Sequence, residues 1–302
     1  MAGSSLERLC IGDIHVALTS NDPGLRVEVS GPMRRFRVDA GRANDATVTT
    51  ALGDLRANAI GRPIFDSGGL WKLYGDGGDY VFRLSSPAFG AHPYKEARFS
   101  SDFTRGDVTL HADFHEKGHP IFPLEYPLDE LLLTNLLARG RGVELHACGL
   151  IDRDGRGYLF AGHSGAGKTT TAKLWDSAGV SVLSDDRIIL RCLDGKVWMY
   201  GTPWHGEAQF AAPTRTELMH VFALHHGAAN RCRRLPQPEA VSSLFARGFV
   251  PFYHAAALAY TLEVLQQITD AVPCSELRFV PDKEVIDFVR ASATRPAAAP
   301  CA

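Results

Sequence analysis

Residues 158–175 read YLFAGHSGAGKTTTAKLW, and this stretch decides the fold. Within it, residues 162–169 fit the pattern GxxxxGK(S/T), the Walker A or P-loop motif, at every fixed position. An apolar stretch typical of a strand enters the glycine-rich segment, and a stretch typical of a helix leaves it, which is the context that the motif requires. The sequence therefore predicts a phosphate-binding loop between a strand and a helix.

Each part of the motif has a physical role in binding a nucleoside triphosphate. Glycines let successive backbone N–H groups turn toward phosphate oxygens, and the N-terminal end of the helix adds positive potential. Lys168 is expected to contact the β- and γ-phosphates, and Thr169 offers a hydroxyl to Mg²⁺. With ATP or GTP as the nucleotide, the predicted nucleotide-binding residues are Gly162, His163, Ser164, Gly165, Ala166, Gly167, Lys168, Thr169 and Thr170.

Two acidic residues, Asp185 and Asp186, follow the next predicted strand, VSVLS. In open α/β sheets, ligands and metals bind at such strand ends. One carboxylate there can hold Mg²⁺, and another can accept a proton from an attacking hydroxyl. Adjacent side chains of an extended chain point to opposite sides, so we expect the two residues to have different roles. Capping of the next turn is the alternative for either of them.

His146 lies on the strand before the P-loop strand. The run of residues 145–186, LHACGLIDRDGRGYLFAGHSGAGKTTTAKLWDSAGVSVLSDD, resembles the bacterial HPr serine kinase/phosphorylase family. The shared layout is a histidine on one strand, a hairpin, a second strand, the loop GxSGxGK(S/T), a helix and a pair of aspartates. The resemblance is clear over residues 143–200 and weaker toward the C-terminus.

The resemblance implies an α/β fold, with a compact P-loop kinase domain of the HPr kinase/phosphoenolpyruvate carboxykinase type. It implies that Asp185 acts on the acceptor hydroxyl and that Asp186 is the second acid of the pair. It also implies that His146 is an active-site histidine near the phosphates. The expected catalytic residues are Asp185, His146 and Lys168.

The segment YGTPWHGE, residues 200–207, departs from that family, which carries an arginine-bearing signature here. It looks more like the HPr-kinase-like proteins of peptide-maturation clusters, such as lasso-peptide kinases. On this interpretation His205 contacts phosphate. The expected metal-binding residues are Thr169, Asp186 and Glu207. The alternative is that the segment only shapes a turn over a packed Trp204.

The N-terminal region carries the period-2 alternation of strands and no nucleotide motif. Residues 70–86, LWKLYGDGGDYVFRLSS, indicate a hairpin that turns around 75–78, and residues 34–41, RRFRVDAG, indicate a strand. A helix over 127–140 could belong to either half. The predicted organisation is a β-rich N-terminal domain over 1–125, an HPr-kinase-like P-loop domain over 126–292 and a disordered tail over 293–302.

Composition argues against several classes of protein. The formal net charge is −2, which does not favour nucleic-acid binding, and the chain is 45% hydrophobic and 22% charged, as is ordinary for a globular protein. The longest apolar helical stretch, residues 252–268, contains His254 and Glu263, so we expect no membrane span. The N-terminus lacks the apolar core of a signal peptide, and the expected location is the cytoplasm. The six cysteines are scattered and are expected to be free thiols.

Two further clusters of side chains have residue types that can form binding sites. Arg231, Arg233 and Arg234 are a candidate clamp for phosphates or for an acidic acceptor, with a solvated surface turn as the alternative. The pair His225 and His226 has no suitably spaced third ligand, so it does not predict a metal site.

The predicted function is an ATP-dependent, Mg²⁺-requiring kinase that transfers the γ-phosphoryl group to a serine-type hydroxyl of a peptide or protein. One alternative is a kinase of a small hydroxylated metabolite, and another is an ATP-binding scaffold or sensor without turnover. The aspartate pair favours a kinase, because nucleotide binding alone needs no acceptor base. The sequence leaves open whether the chain forms a homo-oligomer.

Overall fold

The computed structural model describes residues 6–56, 60–90, 92–115 and 119–294. It shows a mixed α/β chain with two large sheets, divided into the compact units Met1–Leu136 and Leu137–Ala302. The division falls at the end of helix α1 (Leu128–Leu137), and the predicted domain boundary at residue 126 stays a prediction. The sequence did not decide which unit contains α1, because this helix is apolar on most of its surface and has no single apolar stripe that would favour packing against one unit.

The first unit is built on an eight-stranded mixed sheet. In chain order its strands, with those of a two-stranded pair, are β1 (Glu7–Ile11), β2 (Ile14–Ser20), β3 (Arg26–Val27), β4 (Ala46–Gly53), β5 (Phe65–Asp66), β6 (Trp71–Asp76), β7 (Asp79–Leu84), β8 (Lys95–Phe99), β9 (Arg105–His111) and β10 (Pro120–Ile121). The strand order is β1-β2-β4-β9-β8-β7-β6-β5, while β3 and β10 form the separate parallel pair. These strands confirm the prediction that the N-terminal region is rich in β-structure.

Two local predictions in the first unit have opposite outcomes. The hairpin of β6 and β7 is confirmed, and it turns at Gly77 and Gly78, whose φ angles of 62° and 95° favour glycine. The strand expected over 34–41 is wrong, because Gly31–Phe36 forms a short 3₁₀ helix. A proline in its first turn presets helical φ, and the three-residue repeat of that helix buries both Met33 and Phe36.

The second unit contains the glycine-rich loop. Its strands are β11 (Val143–Ile151), β12 (Gly157–Ala161), β13 (Ser181–Ser184), β14 (Arg187–Leu193), β15 (Lys196–Gly201), β16 (Arg215–His226), β17 (Arg231–Arg234) and β18 (Cys274–Phe279). Its helices are α2 (Lys168–Ser177), α3 (Gln237–Phe245), α4 (Ala255–Ala271) and α5 (Glu284–Ala293). Because α5 continues through Ala293, the tail predicted over 293–302 begins in a helix, and residues 295–302 lie outside the described residues.

In the second sheet, strands β11 and β12 each pair with more than one neighbour. The strand order is β12-β11-β14-β15-β16-β18-β17, with β13 also on β11 and with β12 also parallel to β16. Residues 143–146 of β11 pair with β14, and residues 147–151 pair with β12. The ends of β12 and β13 therefore lie close to the middle of β11, which carries His146.

Helices cover both faces of this sheet. Along β12, Leu159 and Ala161 join a core with α3 and α4, while Tyr158 and Phe160 face the opposite core with α2 and α5. The centre of that second core is Trp175 of α2, which is fully buried. Burial of a large apolar side chain contributes about 1.5–3 kcal/mol, so the two cores hold the loop-bearing strand from both sides.

Two observations bear on the surroundings of the chain. Among the described residues, no helix is both long and apolar enough to cross a membrane. The five cysteines in the described part of the chain are free thiols, as predicted, and Cys301 lies outside it.

An ion pair between Arg290 of α5 and Asp152 is expected to make stability depend on acid pH. Arg290 donates to both Asp152 oxygens over 2.8 and 2.6 Å, and these hydrogen bonds hold the pKa of Asp152 below its usual range. A carboxyl with a lowered folded-state pKa stabilises the fold above its unfolded pKa of about 3.9, and this contribution is lost as the pH falls through the folded-state pKa.

Replacing Arg290 by Met is therefore expected to lower the free energy of unfolding by about 2–3 kcal/mol at pH 7, because Asp152 stays buried without its partner. Urea unfolding of wild type and variant at pH 7 and pH 3 measures this. The difference between the two proteins should shrink at pH 3, and an equal difference at both pH values would contradict the assignment.

Candidate functional site

The glycine-rich loop leaves β12, whose five residues are all buried, and enters α2 at Lys168. Gly165 and Gly167 have φ angles of 80° and 102°, a region that residues with a side chain rarely occupy. A Cβ on Gly162 would approach the Ala166 Cβ to 2.7 Å, so the loop is also closely packed. The strand, loop and helix predicted from the motif are present in that order.

A substitution at Gly167 tests how tightly this loop is built. A Cβ there would lie 2.7 Å from Cζ of the buried Phe279, whereas a Cβ on Gly165 would meet nothing within 4 Å. Gly165→Ala should therefore cost only the backbone strain, about 1–2 kcal/mol, and Gly167→Ala should cost about 1–3 kcal/mol more. Urea unfolding of both variants measures the difference, and equal losses would show that Phe279 moves aside freely.

The Lys168 side chain lies inside the loop. Its Nζ donates to the carbonyl oxygens of Gly162 at 2.9 Å and His163 at 3.1 Å, and the residue is 6% exposed. Burial lowers the pKa of Lys168, and the nearby Asp186 carboxylate partly opposes this. An ammonium group has three donors, so a third remains for a ligand in the cleft.

Asp185 is turned into the protein. It is 1% exposed, and its two carboxylate oxygens accept hydrogen bonds from the backbone N–H groups of Gly206 at 3.0 Å and Ala208 at 2.9 Å. A Cβ on Gly206 would lie 2.8 Å from Asp185 Oδ2, so only glycine permits this approach. Asp185 thus holds the loop that carries Glu207 against the end of β13.

Asp186 faces the opposite way and contacts His146 and Arg187. His146 Nε2 lies 2.8 Å from Asp186 Oδ1, and Arg187 Nη1 contacts Oδ2. Burial alone would raise the pKa of Asp186, but the hydrogen bond from His146 and the charge of Arg187 hold it below the usual range. Arg187 lies over the ring of Phe249, with 4.4 Å between the guanidinium carbon and the ring centroid. Asp186 is therefore an ionised carboxylate with a fixed orientation.

Several of these side chains line one cleft with a volume of about 470 Å³. Of the predicted site residues, its lining includes His146, Ser164, Gly165, Gly167, Lys168, Thr169, Thr170, Asp186 and Glu207. The other predicted residues, Asp185, Gly162, His163 and Ala166, do not belong to the lining. Gly206 and His226 also line the cleft, although the sequence assigned neither to it.

Sequence reasoning also missed Arg187, the partner of Asp186. A signal was available, because Arg187 directly follows the aspartate pair at the start of β14. The segment 200–207 supports both of its interpretations, because Trp204 is packed while Glu207 lines the cleft. His205 is not among the lining residues, and its Nδ1 lies 3.0 Å from the carbonyl oxygen of Gly206.

The arginine cluster lies on strand β17, at one edge of the sheet. Arg233 forms ion pairs with Glu239 at 3.0 Å and Glu276 at 3.2 Å. None of Arg231, Arg233 and Arg234 lines the cleft described above. This placement favours the surface interpretation over a phosphate clamp.

The residues expected to bind Mg²⁺ fit a metal that arrives with a nucleotide. Thr169, Asp186 and Glu207 all line the cleft. Within the described ranges, no group of three or more His, Cys, Asp or Glu side chains is arranged to hold a metal ion. Mg²⁺ is commonly held by one or two carboxylates together with substrate phosphates and water, and this donor set suits that mode.

The chain is similar to solved structures. No protein-family model and no curated protein matches the chain. Among solved structures, the chain is similar to the Hpr(Ser) kinase/phosphatase from Coxiella burnetii at 12% sequence identity and a TM-score of 0.29. The match covers 49% of this chain and 94% of that chain. At this identity and TM-score, the similarity carries no conclusion about function.

Proposed function

We propose that this chain is an ATP-dependent kinase that transfers the γ-phosphoryl group to a serine-type hydroxyl of a peptide or protein. The observation that carries the proposal is one cleft lined both by Lys168 and Thr169 of the P-loop and by the paired side chains of Asp186 and His146. The first pair suits a triphosphate, and the second suits an acceptor hydroxyl.

In the proposed reaction, the acceptor oxygen bonds to the γ-phosphorus, and the bond from that phosphorus to the β–γ bridging oxygen breaks, which leaves ADP. The hydroxyl proton passes to the Asp186 carboxylate, which His146 orients from 2.8 Å and Arg187 helps keep ionised. Lys168 and the loop N–H groups hold the phosphates and neutralise their charge. Positioning and charge neutralisation account for most of the acceleration in such transfers.

This assignment differs from the one implied by the family resemblance. Asp185 is buried outside the cleft lining and holds the Gly206 and Ala208 N–H groups, so it suits a loop-holding role better than that of acceptor base. Asp186 lines the cleft and takes the role of base. Thr169 and Glu207 are then the residues proposed to hold Mg²⁺, which supplies further charge neutralisation at the phosphates when bound.

The peptide acceptor rests on the likeness of segment 200–207 to HPr-kinase-like proteins of peptide-maturation clusters. The test incubates the purified full chain with γ-labelled ATP, Mg²⁺ and peptides encoded by neighbouring genes, each beside a copy with its serines replaced by alanine. Label is expected only in the serine-containing peptides. Label in a small hydroxylated metabolite alone would favour the metabolite kinase, and ATP binding without any labelled acceptor would favour the scaffold.

A further inference from the structure

The carbonyl groups of the glycine-rich loop accept hydrogen bonds from several donors. A loop that points its N–H groups at an anion must turn its C=O groups away, and each C=O then requires a hydrogen-bond donor. Lys168 Nζ donates to Gly162 and His163, the Ala166 N–H also donates to His163 over 3.1 Å, and the Thr171 N–H donates to Gly167 over 2.8 Å. The carbonyl group of Gly165, at the apex of the loop, has a donor from a distant part of the chain.

His226 supplies that donor. Its Nε2 lies 2.7 Å from the carbonyl oxygen of Gly165, although 61 residues separate the two along the chain. A carbonyl oxygen only accepts, so the imidazole carries a proton on Nε2 in this contact. His226 is the last residue of β16, and the contact therefore ties the loop apex to a strand held in the middle of the sheet.

The His226 ring is itself held in place. His226 and Phe279 are register partners on the parallel strands β16 and β18, and their rings stack with 6.4 Å between centroids and 19° between planes. Phe279 is 2% exposed and lies against Gly167, where an added Cβ would be 2.7 Å from its Cζ. One cross-strand pair therefore contacts the loop at both of its positive-φ glycines.

We propose that His226 is a positioning residue for the phosphate-binding loop. By holding the Gly165 carbonyl, it fixes the peptide plane that also carries the Ala166 N–H, which donates to the His163 carbonyl oxygen over 3.1 Å, and so keeps the apex of the loop in shape before any ligand arrives. The expected effect of His226 on ATP binding rests on the proposed function, whereas its effect on the loop without nucleotide does not. The role differs from metal ligation, because the ring uses Nε2 as a donor to a backbone oxygen.

Three variants of the full-length chain separate this role from a general loss of structure. His226→Leu removes the donor, His226→Gln keeps an amide N–H at a similar reach, and His225→Leu alters the neighbouring residue, which is not part of the cleft lining. Hydrogen exchange without nucleotide is followed at the amides of residues 163–167. Binding of ATP is then measured by calorimetry, together with the thermal midpoint of each protein.

For His226→Leu we expect faster exchange confined to the loop, unchanged exchange in β12 and β16, and ATP binding weakened about two- to tenfold, the loss of one hydrogen bond. His226→Gln should restore most of both. Exchange in His226→Leu that matches wild type, or equal effects of His226→Leu and His225→Leu, would overturn the proposal. If wild type binds no ATP, the proposed function fails, while the exchange result still decides the role of His226.

Discussion

Replacing Asp186 by Asn is expected to lower the rate of phosphoryl transfer about 10²- to 10⁴-fold, the usual contribution of a positioned base. Asn keeps the shape of the side chain and an oxygen that can accept from His146 Nε2, now at 2.8 Å, but its NH₂ then faces Arg187 and it cannot take the proton of the acceptor hydroxyl. Binding of ATP without Mg²⁺ should change little. Single-turnover transfer and calorimetric titration together measure the two effects.

The neighbouring substitution Asp185→Asn is the matched control, with the opposite expected signature. One of the two N–H groups, of Gly206 or Ala208, would then face an amide NH₂ and lose its acceptor. This should cost about 2–3 kcal/mol and lower Tm by about 5–10 °C. A loss of transfer at unchanged Tm in Asp185→Asn, with near-normal transfer in Asp186→Asn, would return the base to Asp185.

Replacing Lys168 by Ala is expected to reduce kcat/KM for transfer about 10³-fold, because the buried ammonium group that would neutralise phosphate charge in the proposed reaction is lost. The free protein should also lose stability, since Nζ is the donor that serves the Gly162 and His163 carbonyls. The exposed Lys173 on the same helix provides the control, and Lys173→Ala should retain activity.

Transfer kinetics and the thermal midpoint of the nucleotide-free protein separate the two consequences. A variant with wild-type kcat/KM would remove Lys168 from the mechanism, whatever its stability. A variant with wild-type stability and low activity would show that the loop carbonyls find water as a substitute partner.

The parts of the site that could be predicted from the sequence are local in the chain. The strand, loop and helix around residues 158–175 follow from a motif whose glycines, lysine and threonine each answer a backbone or charge requirement. The opposite orientations of Asp185 and Asp186 also followed from the geometry of an extended chain. The sequence did not predict which of the two side chains enters the cleft, because that depends on Gly206 and Ala208, more than 20 residues later.

The contacts that sequence reasoning missed join distant segments. His226 meets Gly165 only because β16 runs beside β12, and the resulting contact leaves no periodicity to detect. One prediction in the first unit was wrong for a local reason. Alternation over residues 34–41 resembled a strand, but Pro32 and the spacing of two buried side chains produced a 3₁₀ helix.

The register of the hairpin of β11 and β12 fixes the distance between His146 and the glycine-rich loop. Ala147 pairs with Ala161, so the histidine lies one residue from the ladder's end, where the chain enters the loop at Gly162. Slipping this ladder by one residue would send the imidazole to the other face of the sheet. Extra residues at the tip near Gly155 would leave the spacing unchanged. Chain length should therefore vary at that tip among functional variants of this protein and stay constant along the paired strands.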